Sequence, residues 1–301
     1  MKKFIKIIYF ILIIILLCGC KNIESPNNEG YTEDLKVYFI NVGQADCTFI
    51  MLPNNETILI DAGLDHATSF DENNFPSWDN IVSVLTLESI KTIDHIVITH
   101  PHTDHYYFIG DIIKNYEVKN IYHSGTIVTN YTYLDLLKTI NEFKIPTYEV
   151  YMGQNIIQDK NITFQVLYTL KKNNPEDANF CSVVTKLTYN QKSFLFMGDG
   201  GSKEGDVEEA LLKMNVDIKS DILKVGHHGS TYASSKEFIN KVYPEYAFIS
   251  CAKVTSTGHP HKKALDRISS CCKKILQSRN DGTILFITDG ININYQTHIG
   301  E

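Results

Sequence analysis

The sequence predicts an α/β fold in which two sheets pack face to face with helices outside them. Three observations carry this reading. Short runs rich in Val, Ile, Phe, Tyr and Thr recur between turn residues, the pattern of strands that pack into a sheet. Hairpin-type connections come first and strand–helix units follow, and this order occurs in both halves of the chain. The one long apolar run is N-terminal, which excludes a multispan membrane protein.

In chain order, the strand-like stretches are Lys36–Asn41, Cys47–Leu52, Thr57–Ile60, Ile93–Thr99, Val118–Tyr122, Ile162–Leu167, Ser182–Tyr189, Ser193–Met197, Ile218–Val225, Tyr246–Ser250, Thr283–Thr288 and Ile291–Tyr295. Helical spacing predicts helices over Trp78–Ile90, Asp104–Asn115, Tyr131–Phe143, Glu204–Met214, Ser235–Val242 and Lys262–Cys271. Hairpin turns are expected at Pro53-Asn54-Asn55, Asn190-Gln191 and Asp289-Gly290. With 301 residues, 43% apolar and 21% charged, the chain can bury a large core, and disordered or collagen-like classes are excluded. The formal net charge is −7, and Arg267 and Arg279 are the only arginines. A broad basic face for nucleic acid is hard to build from that set, so a polyanionic substrate would need help from metal ions.

The N-terminus reads as an address. Lys2, Lys3 and Lys6 precede the apolar run Ile7–Leu17, too short for an ordinary spanning helix. The run ends in Leu17-Cys18-Gly19-Cys20, which resembles the lipobox of bacterial lipoproteins. The resemblance implies a signal peptide over 1–19, a diacylglycerol on Cys20 and a place on the outer face of the bacterial cytoplasmic membrane. Loss of the three lysines would take the net charge from −7 to −10. Residues 20–34 are polar, with Pro and Gly, and read as a flexible tether to a domain over 35–301. Of seven cysteines, Cys47, Cys181, Cys251, Cys271 and Cys272 remain in that domain, an odd count without paired spacing and so no disulfide framework.

The chemistry starts where the apolar strand Ile93–Thr99 runs into His100-Pro101-His102-Thr103-Asp104-His105. Residues two apart on an extended chain point the same way, so His100 and His102 can share a metal. Asp104 and His105 follow on a turn where a helix can start and set them over a second ion. Imidazole with carboxylate suits zinc, iron or manganese.

This His-x-His-x-Asp-His segment resembles the signature of the metallo-β-lactamase superfamily. The resemblance implies an αββα sandwich of two mixed sheets flanked by helices, with a binuclear metal site at its rim. Three further stretches agree with it: Thr57 to Gly63, ending in Asp61; Phe194 to Asp199; and Leu223 to Ser230, with His227 and His228. Within the superfamily, Phe39 to Cys47 (FINVGQADC), Lys224 to Ser230 (KVGHHGS), Gly258-His259-Pro260 and Ser278 to Gly290 resemble the ComEC-type competence-protein hydrolase domain, whose members are taken to hydrolyse phosphodiesters. The polytopic channel of the full competence protein has no counterpart here, so the chain resembles a free-standing, lipid-tethered relative. It departs from the pattern at Tyr107 and Phe108, which follow Asp104-His105-Tyr106 where the family carries two glycines, and at Asn41 and Ala45, where it often has Asp and Gly.

The resemblance implies two divalent cations, with zinc expected and manganese as the alternative. His100, His102 and a bridging Asp199 would hold one; Asp104, His105, Asp199 and His228 the other, with His227 and His228 exchangeable in that role. No early third histidine fits, since His123 follows a strand too soon, and Asn179 is expected near that place, contributing weakly or through water. Asp61 is expected to orient loops beneath the metals, behind the ligands or as a third ligand, and Asn41 to stand behind the ligands or be structural. A metal-bridging hydroxide would attack phosphorus while Asp104, His227 and His259 assist. Ser230 and Thr231 are candidates for phosphate oxygens or for capping a helix that begins near Ser234, and Arg279 for a phosphate or an ion pair. Trp78 and Phe108 read as packing; His66, His95 and His298 stand outside any motif. The expected partners are a phosphodiester substrate (DNA, a nucleotide or a wall polymer) and a membrane through the lipid, with no protein partner. The competing readings are an ester, lactone or β-lactam hydrolase, and a tethered binding protein with a degenerate site.

Overall fold

The computed structural model describes residues 34–64, 77–203 and 205–300. The expected signal segment 1–19, Cys20, the expected tether up to residue 33, His66 and Glu204 lie outside the described residues. The first sheet contains β1 (Leu35–Phe39), β2 (Cys47–Met51), β3 (Thr57–Ala62), β4 (Thr92–Ile98), β5 (Glu117–His123), β6 (Thr147–Glu149), β14 (Ile284–Thr288) and β15 (Ile293–Gln296), in the order β15-β14-β1-β2-β3-β4-β5-β6. The second contains β7 (Asn155–Gln158), β8 (Ile162–Tyr168), β9 (Val184–Tyr189), β10 (Lys192–Phe196), β11 (Ile222–Lys224), β12 (Tyr246–Ile249) and β13 (Lys274–Gln277), in the order β13-β12-β11-β10-β9-β8-β7. Each sheet opens with antiparallel pairs and switches to parallel ones, at β3–β4 in the first and β10–β11 in the second. That switch follows from the expected order of hairpins and then helix-linked strands, because a parallel neighbour needs a crossover. Asn55, Asn190 and Gly290, in the three expected hairpin turns, all have positive φ.

Side-chain alternation sorts the core into layers. Leu35, Val37 and Phe39 of β1, Ile58 and Ile60 of β3, and Phe194 and Phe196 of β10 share one buried cluster that takes residues from both sheets. Tyr38 and Leu59 point the other way, into a cluster with α1 (Ser77–Leu87), α3 (Ile109–Asn115) and α4 (Tyr131–Glu142). Leu195 faces a third, with α5 (Val207–Met214), α6 (Lys236–Val242) and α7 (Lys262–Ser269). Helix, sheet, sheet, helix is therefore the layer order. Phe39 joins the two sheets: its ring stacks on Phe248 of β12 at 4.4 Å and meets Phe196 of β10 at 6.1 Å.

Several boundaries differ from expectation, each for a local reason. The expected helix over Asp104–Asn115 is two, α2 (Thr103–Tyr106) and α3. In a continuous helix Phe108 N would bond the carbonyl of Asp104; instead it donates to Ala62 O (2.8 Å), and Asp104 O accepts from Asp46 N (2.9 Å). Tertiary bonds from β3 and the β1–β2 loop have replaced a helical one. The expected strand Ile218–Val225 shortens to β11. β6, β7, β13 and the short α8 (Ser278–Asp281) were not expected, and the three strands have only three or four residues each, mostly outside the core. Trp78 packs against Phe108 at 5.5 Å, as expected. Tyr106 is buried, its hydroxyl bonded to Asn130 and Thr132, so its ring belongs to the core. The five cysteines in the described residues are free thiols.

Because Phe39 fills the space between the sheets, Phe39→Ala is expected to cost about 3–5 kcal/mol, read as a fall of roughly 10 °C in the thermal midpoint. An unchanged midpoint would place the stabilising core elsewhere.

Candidate metal centre

The parallel strands of both sheets end at one rim. From the first sheet, β4 delivers Thr99 and His100 into the turn that begins α2. Asp61, at the end of β3 with φ +59°, accepts Thr99 N (2.8 Å) and Thr99 Oγ1 (2.7 Å), which fixes that turn. Gly63 makes the junction possible: a Cβ there would stand 1.7 Å from the carbonyl oxygen of Asp104. Its N–H bonds Asp46 O (2.9 Å), and Leu64 N bonds Thr103 O (3.1 Å), so three loops are sewn together around α2.

The second sheet supplies the rest. β10 leads through Met197-Gly198 to Asp199, whose N–H donates to Ser182 Oγ at 3.2 Å. β11 leads into the turn Gly226–Gly229, where His227, His228 and Gly229 have φ of 47°, 51° and 76°. Two consecutive non-glycine residues in the left-handed region are strained. The strain sets the two imidazoles on different courses. His228 is buried, with Nδ1 3.1 Å from Ser250 O and Nε2 3.3 Å from Asp104 Oδ2 and 3.5 Å from Asp199 Oδ2. His227 is partly exposed, its Nε2 4.0 Å from Asp199 Oδ2. Gly226 lets this turn approach the segment that follows Asp199, since a Cβ would lie 2.3 Å from Gly200 O.

Asp104, His105, Asp199 and His228 thus bring one ligand atom each to within 4.8 Å of one another, a group able to hold a metal ion. Inside it His105 Nε2 and Asp199 Oδ1 face each other at 3.3 Å, both buried and neither in a hydrogen bond. A nitrogen and an oxygen orphaned on the same spot fit a cation between them. His105 Nδ1 lies 2.8 Å from Asp61 Oδ2, the carboxylate–histidine contact that fixes a ligating ring and its tautomer. Asp61 thus contacts both the Thr99 turn and the His105 ring.

The charges agree. Burial opposes ionisation of Asp199, yet the imidazoles of His228, His105 and His227 outweigh it and hold its carboxyl well below the usual range. Asp104 is lowered in the same way, with its bond to His228 outweighing burial. Burial also disfavours charge on His105, but Asp199 and Asp61 keep its pKa well above the ordinary value, and His228 is raised by Asp199 and Asp104. Protons on these rings offset the carboxylates, and a divalent cation can replace them.

The other expected residues gather around this group. His100 Nε2 and His102 Nδ1 meet at 3.0 Å, although they join no group of three or more such donors that close among the described residues. Burial, then the neighbouring His105 and His102, push His100 well below the ordinary range. Asn179 places Nδ2 3.4 Å from His227 Nε2 and leaves its buried Oδ1 without a partner. His259 lies 5.4 Å from the His227 ring, is held at Nδ1 by Gln44 Nε2 (3.3 Å), and is pushed by burial to about 4. Ser230 is buried and accepts from Tyr232 N, Thr231 N donates to His261 Nδ1, and the cap expected near Ser234 is made by Ser235. Arg279 Nε donates to Gln277. Asn41 is tied through its backbone, its C=O accepting from Asn80 Nδ2 and its N–H donating to Thr283 Oγ1. His123 closes a local turn with Gly125, and His95 pairs with Glu56.

Gln44, Asp46, Lys224 and Glu208 were not singled out from the sequence. The first three stand inside motifs quoted above, but only folding shows what they touch. Glu208, on α5, accepts from Ser234 N and Ser235 N, tying the segment after Asp199 to the one after His228.

The family model of the metallo-beta-lactamase superfamily matches residues 40–253. The chain belongs to that superfamily. It is 29% identical over 258 residues to ComE operon protein 3 of Bacillus subtilis (strain 168), covering 83% of this chain and 33% of that protein. It is also 29% identical over 156 residues to Competence protein ComA of Neisseria gonorrhoeae, covering 48% and 22%. The chain therefore spans a third or less of these relatives' length, and within it the ComEC-type resemblance holds. Among solved structures, the metallo-beta-lactamase fold protein YhfI from Bacillus subtilis shares the fold at a TM-score of 0.55 and 9% identity, covering 85% of this chain and all of that one.

Glu208 gives a pH test. Burial raises its pKa to about 7, partly offset by the Ser235 and Ser234 N–H groups. A carboxyl raised on folding contributes stability below its unfolded value that is lost as pH rises through the folded one. The metal-free stability of wild type relative to Glu208→Gln is expected to fall by up to about 3 kcal/mol between pH 4.5 and 8, measured by urea unfolding. A pH-independent difference would mean that Glu208 does not titrate there.

Proposed function

We propose that this chain is a binuclear metal-dependent phosphodiesterase. The observation that carries the reading is the buried group Asp104, His105, Asp199 and His228, with two orphaned donor atoms facing one point. On this reading those four residues would hold one ion, and His100 and His102, with Asp199, would hold the other. Two divalent ions, when bound there, would supply a water nucleophile at neutral pH and positive charge at the reacting phosphoryl oxygens. Asp61 holds the His105 ring with Nε2 turned inward. Ser250 O does the same for His228 through Nδ1. His259, neutral at pH 7 with a pKa near 4, is fit to donate a hydrogen bond to a non-bridging oxygen. Gln44 fixes its orientation. His227, the more exposed imidazole, is the group left to protonate the leaving oxygen. Ser230 and Thr231 stand in the same loop as candidates for phosphate contacts. The preference for phosphorus over a carbonyl rests on the competence-protein relatives.

The same reading tethers the protein by a lipid on Cys20 at the outer face of the cytoplasmic membrane, supported by the Leu17–Cys20 motif. Among the described residues no helix is long and apolar enough to cross a membrane.

Zinc- or manganese-loaded protein is expected to turn over bis(p-nitrophenyl) phosphate and not nitrocefin, to stop on chelation, and to lose at least about a hundredfold in kcat in Asp199→Asn. Turnover of nitrocefin alone, or full activity in the variant, would overturn the assignment. In a bacterial host, Cys20→Ser is expected to move the protein out of the membrane fraction; unchanged fractionation would remove the lipid anchor.

A further inference from the structure

Beneath the four-donor group lies a second cluster, in which Asp46 is the member with no role in the chemistry above. Asp46, Asp61 and His105 are buried and place ligand atoms within 4.8 Å of one another. His105 belongs to both groups. Its Nδ1 faces Asp61 at 2.8 Å and Asp46 Oδ2 at 3.8 Å, while its Nε2 faces Asp199 at 3.3 Å. Asp46 reaches the other ligating ring too, with Oδ1 3.6 Å from His228 Nδ1.

A cation already stands in this lower cluster. Lys224, the last residue of β11, is 3% exposed, and its ammonium pairs with Asp46 Oδ2. Lys224 Nζ and Asp46 Oδ1 make no hydrogen bond among the described residues, so the pair is held by charge. A hollow of about 10 Å³, space for roughly one water, is bordered by Asp46, Asp61, Thr99 and Lys224. Two buried carboxylates this close to a shared imidazole would otherwise draw in a cation or a proton.

We infer that Lys224 is the resident cation of the lower cluster and a positioning residue for the upper one. Its charge keeps Asp46 and Asp61 from collecting a divalent ion of their own. His105 Nδ1 therefore stays bonded to Asp61, and Nε2 stays available to the upper group. A compact ammonium suits so small a space better than a guanidinium fork. Because Lys224 is part of a β-strand, this cation cannot be chelated away.

The inference rests on the metal reading of the upper group, and the experiment separates the two. Full-length wild type, Lys224→Met, Asp46→Asn and the double variant are equilibrated with Zn²⁺ alone. Bound zinc per chain is counted, and affinity is measured by chelator competition. Lys224→Met is expected to retain one more zinc per chain than wild type, because the lower cluster has lost its own cation. Asp46→Asn, which leaves an uncompensated ammonium under the ions, is expected to weaken binding at least about tenfold. The double variant balances the charge and is expected to return both stoichiometry and affinity to within about threefold of wild type. Should Lys224→Met fail to fold, Asp46→Asn and the double variant carry the test between them. Wild-type behaviour in all variants, or a double variant as weak as Asp46→Asn, would overturn the role of Lys224. A wild-type protein that binds no zinc or manganese would sink the metal reading itself.

Discussion

The arrangement depends on one imidazole having two carboxylates, one on each side. His105 is fixed at Nδ1 by Asp61 from its own sheet and faces Asp199 from the other sheet through Nε2. The contact requires the parallel strands of both sheets to end at the same rim and the sheets to be locked face to face. The aromatic packing of Phe39 against Phe248 and Phe196 of the other sheet does the locking. It also requires the chain after β3 to pass within bonding distance of α2, which only a residue without a Cβ allows at position 63. The break in the expected helix at Tyr107-Phe108 follows from the same constraint, because the backbone groups that would continue the helix are used to hold α2 in place.

Charge then decides what such a rim can do. Asp46, Asp61, Asp104 and Asp199 are gathered around His105 and His228 at the junction of the sheets. Buried carboxylates at this density are costly unless cations accompany them. Lys224 supplies one from within the chain, and protonated imidazoles supply the rest when no metal is bound. The strained turn at His227 and His228 fits the same scheme. It turns one ring inward to the carboxylates and leaves its neighbour partly open to solvent, where a substrate would arrive.

Much of this was legible in the sequence. The two-sheet layering showed in the order of hairpins and helix-linked strands. His100 to His105 showed because four donors within six residues at a strand end are rare by chance, whereas Asp199 and His228 stood out only through the superfamily resemblance of the stretches that carry them. What was not legible depends on contacts between distant segments. Asp46 and Lys224 are 178 positions apart, and nothing in either segment announces their pairing. Glu208 looks like any glutamate in the first turn of a helix until the Ser234–Ser235 backbone is seen against it. The short strands β6, β7 and β13 gave no signal because three or four half-exposed residues carry too little periodicity.

The acidic surface constrains the proposed chemistry. With a net charge of −7 and two arginines, the chain has no long-range field to gather a polyanion, and each further phosphate of a long polymer would meet more repulsion than attraction. Attraction is confined to the rim, where metal ions and His227 and His259 would present positive charge or N–H donors over a few ångströms. Binding energy on this reading comes from one phosphodiester and its immediate neighbours. Extending the substrate beyond them adds little affinity, which favours a nucleotide, a strand end or a single linkage of a wall polymer over a threaded duplex.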